Sequence, residues 1–176
     1  MRQGLWHTLI VAGCLLALTG TGRQANADAR PPQREFQTHL QGRHEVPVTL
    51  STAQGDLRLT ISDDESSIHF VLSYTGFQTP VLFAHIHIGQ RNVNGGVALF
   101  FCGGGGRAAC PQQAGTVEGD VTAADIMAIE TQQLDATDLA KVLSAIRRGE
   151  TYANIHSMTS PGGEIRGEIR AGEPPE

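Results

Sequence analysis

The chain has 176 residues, with 13 Lys or Arg against 18 Asp or Glu and a formal net charge of −5. An acidic chain offers no basic footprint for nucleic acid. Its length suits one domain with a single buried core.

The first 27 residues read as a segment apart from that domain. Arg2 supplies a short positive start, Leu9 to Leu18 is apolar apart from Gly13, and Ala25-Asn26-Ala27 has the small-x-small form of a secretory cleavage site. The mature chain is therefore expected to begin near Asp28 and to be exported, to the periplasm or beyond the cell. Val11-Ala12-Gly13-Cys14 is a competing signal that resembles a lipobox with Cys14 lipidated, but Leu15-Leu16-Ala17-Leu18 carries the apolar run past it. No other stretch approaches the twenty or so apolar residues of a membrane-spanning helix. Loss of Arg2 and Arg23 with the leader leaves 11 basic residues against 18 acidic ones.

Residues 28–172 then read as a succession of short strands. Phe36, Thr38 and Leu40 alternate with Glu35, Gln37 and His39; Leu57, Leu59 and Ile61 alternate with Asp56, Arg58 and Thr60; Ile68, Phe70, Leu72 and Tyr74 alternate with His69, Val71 and Ser73. Val81 to Ile88, Gly96 to Cys102, Gly115 to Val121, Tyr152 to His156 and Glu164 to Arg170 complete about eight strands, separated by turns such as Ser62-Asp63-Asp64. Regular spacing of this kind predicts an antiparallel β-sandwich. Residues 122–149 break the pattern. Thr122 can cap a helical turn through Ile129, and Asp135 or Thr137 can cap Leu139 to Arg147, with Arg147-Arg148-Gly149 as the stop. Residues 173–176 form a proline-bearing tail.

Removal of the leader leaves Cys102 and Cys110 as the only cysteines, an even number in an oxidising compartment, and one disulfide is expected. The alternative, a thiolate metal site, suits that compartment less well. The enclosed Gly103-Gly104-Gly105-Gly106 run lacks the Gly-Lys-Ser/Thr ending of a phosphate loop and reads as a flexible turn.

Candidate chemistry rests on histidine. In a strand, alternate side chains share a face, so His85 and His87 project together while Ile86 and Ile88 take the other side. His156 can join them if its strand lies nearby. Neutral imidazole is the commonest metal ligand, and three histidines with an open position suit copper first and zinc second. His44 is a further possible ligand, whereas His39 and His69 read as surface residues. Glu45 and Arg166 read as a structural ion pair, because the Arg fork matches a carboxylate, and Glu164, Arg166, Glu168 and Arg170 read as the polar face of a half-buried strand. Ser157 follows His156 but lacks a nucleophile elbow, so hydrolase chemistry is unsupported and no catalytic residue is assigned.

Three blocks of this sequence resemble the CHRD (chordin) domain. Leu40-Gln41-Gly42-Arg43-His44-Glu45-Val46-Pro47 matches its opening Leu-x-Gly-x-x-Glu-Val-Pro segment, Ala84-His85-Ile86-His87 its Ala-His-Ile-His segment, and Tyr152, Asn154 and His156 followed by Gly163-Glu164-Ile165-Arg166-Gly167 its closing motif. The departures are Val48 where a second proline is common and Ile88-Gly89 where Gly-Pro is common. The resemblance implies an extracellular setting and no defined chemistry. A weaker likeness to copper-zinc superoxide dismutases, with their His-x-His copper pair, implies a Greek-key sandwich of dismutase or immunoglobulin type, although a bridging histidine and a compact zinc cluster are missing. Three readings follow: a secreted domain binding copper or zinc through His85, His87 and His156; a non-catalytic adhesion or matrix domain with structural histidines; and a dismutase-like redox enzyme.

Overall fold

The computed structural model describes residues 32–172, so the expected leader, its cleavage site, Cys14 and the 173–176 tail lie outside the described residues. The strands are β1 (Glu35–Gln41), β2 (Gln54–Ile61), β3 (Ser67–Thr75), β4 (Val81–Ile88), β5 (Gly96–Cys102), β6 (Gly115–Thr122), β7 (Thr151–Ser157), β8 (Ile165–Glu168) and β9 (Arg170–Ala171). All pair antiparallel, in the order β5-β4-β7-β8-β1-β2-β3-β6, with β9 beside β1. The all-β antiparallel fold is thus as expected, but its two layers are halves of one continuous sheet. That sheet curls until β5 and β6 approach across the seam, giving a nearly closed barrel.

The alternations drive this closure. Leu57, Leu59 and Ile61 of β2, Ile68, Phe70 and Leu72 of β3, Ala84 and Ile86 of β4, and Ala153 and Ile155 of β7 are all buried and converge on one core. Each large aliphatic side chain contributes about 1.5–3 kcal/mol relative to exposure.

The 122–149 insertion supplies core residues as well as cover. Its one α-helix, α1 (Leu139–Arg148), buries Leu139, Val142, Leu143, Ala145 and Ile146. The N-cap is Asp138, the residue after Thr137 and three beyond Asp135, the two expected caps. Its side chain accepts from the Lys141 amide at 3.0 Å, while Thr137 sits in the left-handed region at φ 70°. The turn expected from Thr122 to Ile129 is only a 3₁₀ turn over Ala123–Asp125, where the Asp125 carboxylate accepts from the Thr122 amide. It stops there because the Met127 amide is drawn to the Ala98 carbonyl of β5 at 2.9 Å, which leaves the helical ladder without a donor.

Cys102 and Cys110 form a disulfide. The glycine loop it closes is packed rather than free: a Cβ at Gly104 would collide with the ring of Phe100. Opening so short a ring should lower stability by about 2–3 kcal/mol in the chain-entropy account. Thermal unfolding with and without reductant checks this. An unchanged midpoint would mean that packing on Phe100 alone holds the loop.

Candidate metal centre

The site begins with the period-two geometry of β4. Ala84 and Ile86 enter the core, so Phe83, His85 and His87 must project from the opposite face. The β4–β7 register pairs Phe83 with His156, His85 with Asn154 and His87 with Tyr152, and the β7–β8 register pairs Asn154 with Arg166. Cross-strand partners share a face. Three adjacent strands therefore gather one polar cluster on the outer side of the sheet.

In an open sandwich that face would meet water. Here the segments 42–53, 89–95 and 158–163 fold over it, and every residue of β7 is buried. His87 Nδ1 lies 2.8 Å from the Gly95 carbonyl, His156 Nδ1 lies 2.9 Å from the Pro161 carbonyl, and the Tyr152 hydroxyl accepts from the Gly95 amide at 3.1 Å. A carbonyl only accepts, so Nδ1 carries the proton in both histidines and Nε2 keeps its lone pair. Oriented this way, a neutral imidazole is prepared as a ligand.

The three imidazoles offer nitrogens that all lie within 4.8 Å of one another, and among the described residues no carboxylate or thiolate joins the group. His85 Nδ1 and His156 Nε2 are buried with no hydrogen-bond partner. The His85 ring stacks on His156 at 4.6 Å and contacts His87 at 4.5 Å, with Phe83 and Phe100 alongside. Burial, reinforced by the neighbouring His87 and His156, holds His85 down at about 2. Burial likewise lowers His87 to about 4, with His156 and Arg166 adding to the shift against the Gly95 carbonyl, and it lowers His156. All three are neutral at physiological pH.

Glu45 and Arg166 are both buried, Arg166 completely, but among the described residues they form no ion pair within 4.0 Å. The Arg166 guanidinium donates instead to Asn94 Oδ1 at 3.2 Å and to the Val93 and Gln90 carbonyls at 3.1 and 3.4 Å. It also lies 3.4 Å over the Tyr152 ring, whose other neighbour is His87, stacked at 4.5 Å and 12°. Glu45 accepts from Asn154 Nδ2, and burial pushes its carboxyl up to about 7 against the Val46 amide, the Arg166 charge and that Asn154 bond. Gly163, at φ 124°, leaves room for the carboxylate: a Cβ there would sit 3.0 Å from both oxygens. Glu164 is equally buried and accepts from the Ser51 and Ser157 hydroxyls. The expected polar face is thus covered at Glu164 and Arg166, while Glu168 is half-buried and Arg170 exposed. The covering loops supply acceptors and donors that alternation within one strand cannot reveal.

Of the other histidines, His39 pairs with Asp56, and His69 lies between Glu118 and Asp120 on the exposed sheet. His44 has a buried, unpartnered Nδ1 but stands outside the three-histidine group. Tyr152, Asn154, Phe83 and Phe100 belong to the site although sequence reasoning assigned them no role in it. Tyr-x-Asn-x-His read in antiparallel register against Phe-x-His-x-His would have paired most of them.

A fully antiparallel β-barrel-like domain with a covered polar face built from an Ala-His-Ile-His strand and a Tyr-x-Asn-x-His strand defines the class. The family model for the CHRD domain matches residues 36–169, and the chain belongs to that family. No curated protein and no solved structure matches it.

Proposed function

We propose that this is an exported CHRD-domain protein that binds one transition-metal ion, copper before zinc, through His85, His87 and His156. The observation that carries the reading is the pair of buried imidazole nitrogens without partners, at His85 and His156, beside His87 with its own Nδ1 engaged elsewhere. A buried polar atom with no partner costs about 1–3 kcal/mol, and a metal removes that cost at both positions. The disulfide fits an oxidising compartment, periplasmic or extracellular.

A non-catalytic adhesion or matrix domain is the second reading, favoured by the stacking of the imidazoles with Phe83, Phe100 and Tyr152. A dismutase-like enzyme is less well supported. Its anion-steering cation would be Arg166, which is buried and committed to loop carbonyls.

Purified without a histidine tag, the protein should take up one equivalent of copper or zinc, and its melting temperature should rise. Metal at a hundredfold excess over Kd adds about 2.7 kcal/mol. His87→Ala and His156→Ala should abolish both effects while circular dichroism shows the fold retained. Absence of uptake by the wild-type chain, or equal uptake by His87→Ala, would leave the structural reading standing.

A further inference from the structure

The charges around the three imidazoles say which ion they suit, an inference that rests on the metal-binding reading above. The group contains three neutral nitrogen donors and no anionic ligand. His85 and His156 are 2 % and 7 % exposed, and Phe83 and Phe100 pack against them. The one charged group stacked on the rings is positive, whereas the buried carboxylates of the same covered face, Glu45 and Glu164, are not among the three-histidine group and are taken up by Asn154, Ser51 and Ser157. Because β7 lies between β4 and β8, Tyr152 is sandwiched between His87 and the fully buried Arg166 guanidinium.

We infer that the site is built for a monovalent soft cation, cuprous copper, held by His85, His87 and His156, in preference to cupric copper or zinc. The cost of moving an ion into a low-dielectric pocket grows with the square of its charge, and only ligands of opposite charge or excellent hydrogen bonding offset it. Three imidazoles provide no negative charge. A divalent ion would also feel twice the repulsion from Arg166 that a monovalent one feels. Cuprous copper needs no anionic partner, is content with three donors, and prefers soft surroundings to water. Phe83 and Phe100 line the imidazoles, so the surroundings of the three donors are largely apolar.

Untagged protein is titrated anaerobically with cuprous copper against bicinchoninate, and separately with cupric copper and with zinc against competing chelators at the same pH. Cuprous copper should bind one to one and more tightly than either divalent ion, by at least roughly tenfold. Cupric copper or zinc binding as tightly or more so would overturn the inference while leaving the metal-binding reading intact. Uptake of none of the three ions would overturn both. A second arm uses Phe83→Asp, which puts a carboxylate beside His85 and His156 at a half-buried strand position, with circular dichroism to show that the variant folds. Its zinc affinity should rise by about tenfold and its cuprous affinity by only about threefold, half the free energy for half the charge. An unchanged ratio in the folded variant would defeat the charge argument.

Discussion

Replacement of Arg166 by Met is expected to lower the stability of the domain by about 3–5 kcal/mol, and the melting temperature by about 10 °C or more. The side chain is fully buried and serves three acceptors on the 89–95 segment, at Asn94, Val93 and Gln90. Met can fill part of the volume, but it leaves those oxygens without donors in a place water does not reach freely. Each abandoned buried acceptor costs about 1–3 kcal/mol, discounted for partial relaxation of the loop. Arg166→Lys should also be destabilising, because an ammonium can neither serve the same fan of acceptors nor lie flat on Tyr152. Urea unfolding of the two variants is the check. A loss under about 1 kcal/mol for Arg166→Met would show that the loop is held from elsewhere. The same segment presents the Gly95 carbonyl to His87, so the variant should also loosen the hydrogen bond that orients that imidazole.

The second large effect is a dependence of stability on pH with opposite contributions from Glu45 and the histidines. The folded-state pKa of Glu45 is raised from 4.5 to about 7. Between those values the native state holds a proton that the unfolded chain has released, so stability falls as pH rises through this window. Imidazoles shifted downward act the other way. Below about 6.5 the unfolded chain takes up protons that the buried His85, His87 and His156 refuse, and stability falls on acidification. Glu45→Gln keeps an acceptor for Asn154 and removes the ionisation. It should be more stable than wild type at pH 8 by about 2–3 kcal/mol, and the gain should vanish near pH 4. Denaturant unfolding across pH 4–8 reads both limbs. A Glu45→Gln variant that is less stable than wild type at pH 8 would mean that the ionised carboxylate is the stabilising species.

Most strands were legible because each carries its own period-two alternation: β2 and β3 alternate almost without exception, and the structure puts their ends within a residue or two of the expected positions. The insertion was legible only in part. The apolar spacing of Leu139, Val142, Leu143 and Ile146 shows the helix, whereas the choice of Asp138 as cap depends on Thr137 adopting a left-handed conformation, and the brevity of the Thr122 turn depends on a carbonyl of β5. The histidines could be nominated from spacing, since His85 and His87 necessarily share a face. That His156 meets them follows from the β4–β7 register, which no local pattern contains. The reading of Glu45 with Arg166 as a direct pair missed for a related reason. Opposite charges two motifs apart suggest each other, but Asn154, Asn94 and the loop carbonyls intervene and take the hydrogen bonds.

Strand β7 carries Ala153 and Ile155 into an apolar interior on one side and Tyr152, Asn154 and His156 into a polar one on the other, with both sides sealed. A slip of one residue against β4 during folding would exchange the two sets. It would bury an imidazole and an amide among aliphatic side chains, and would present methyl groups to Glu45 and Arg166. Either error costs several kcal/mol. The two-sided interior therefore fixes the alignment of β7 from both faces at once, since an off-register strand is penalised on each.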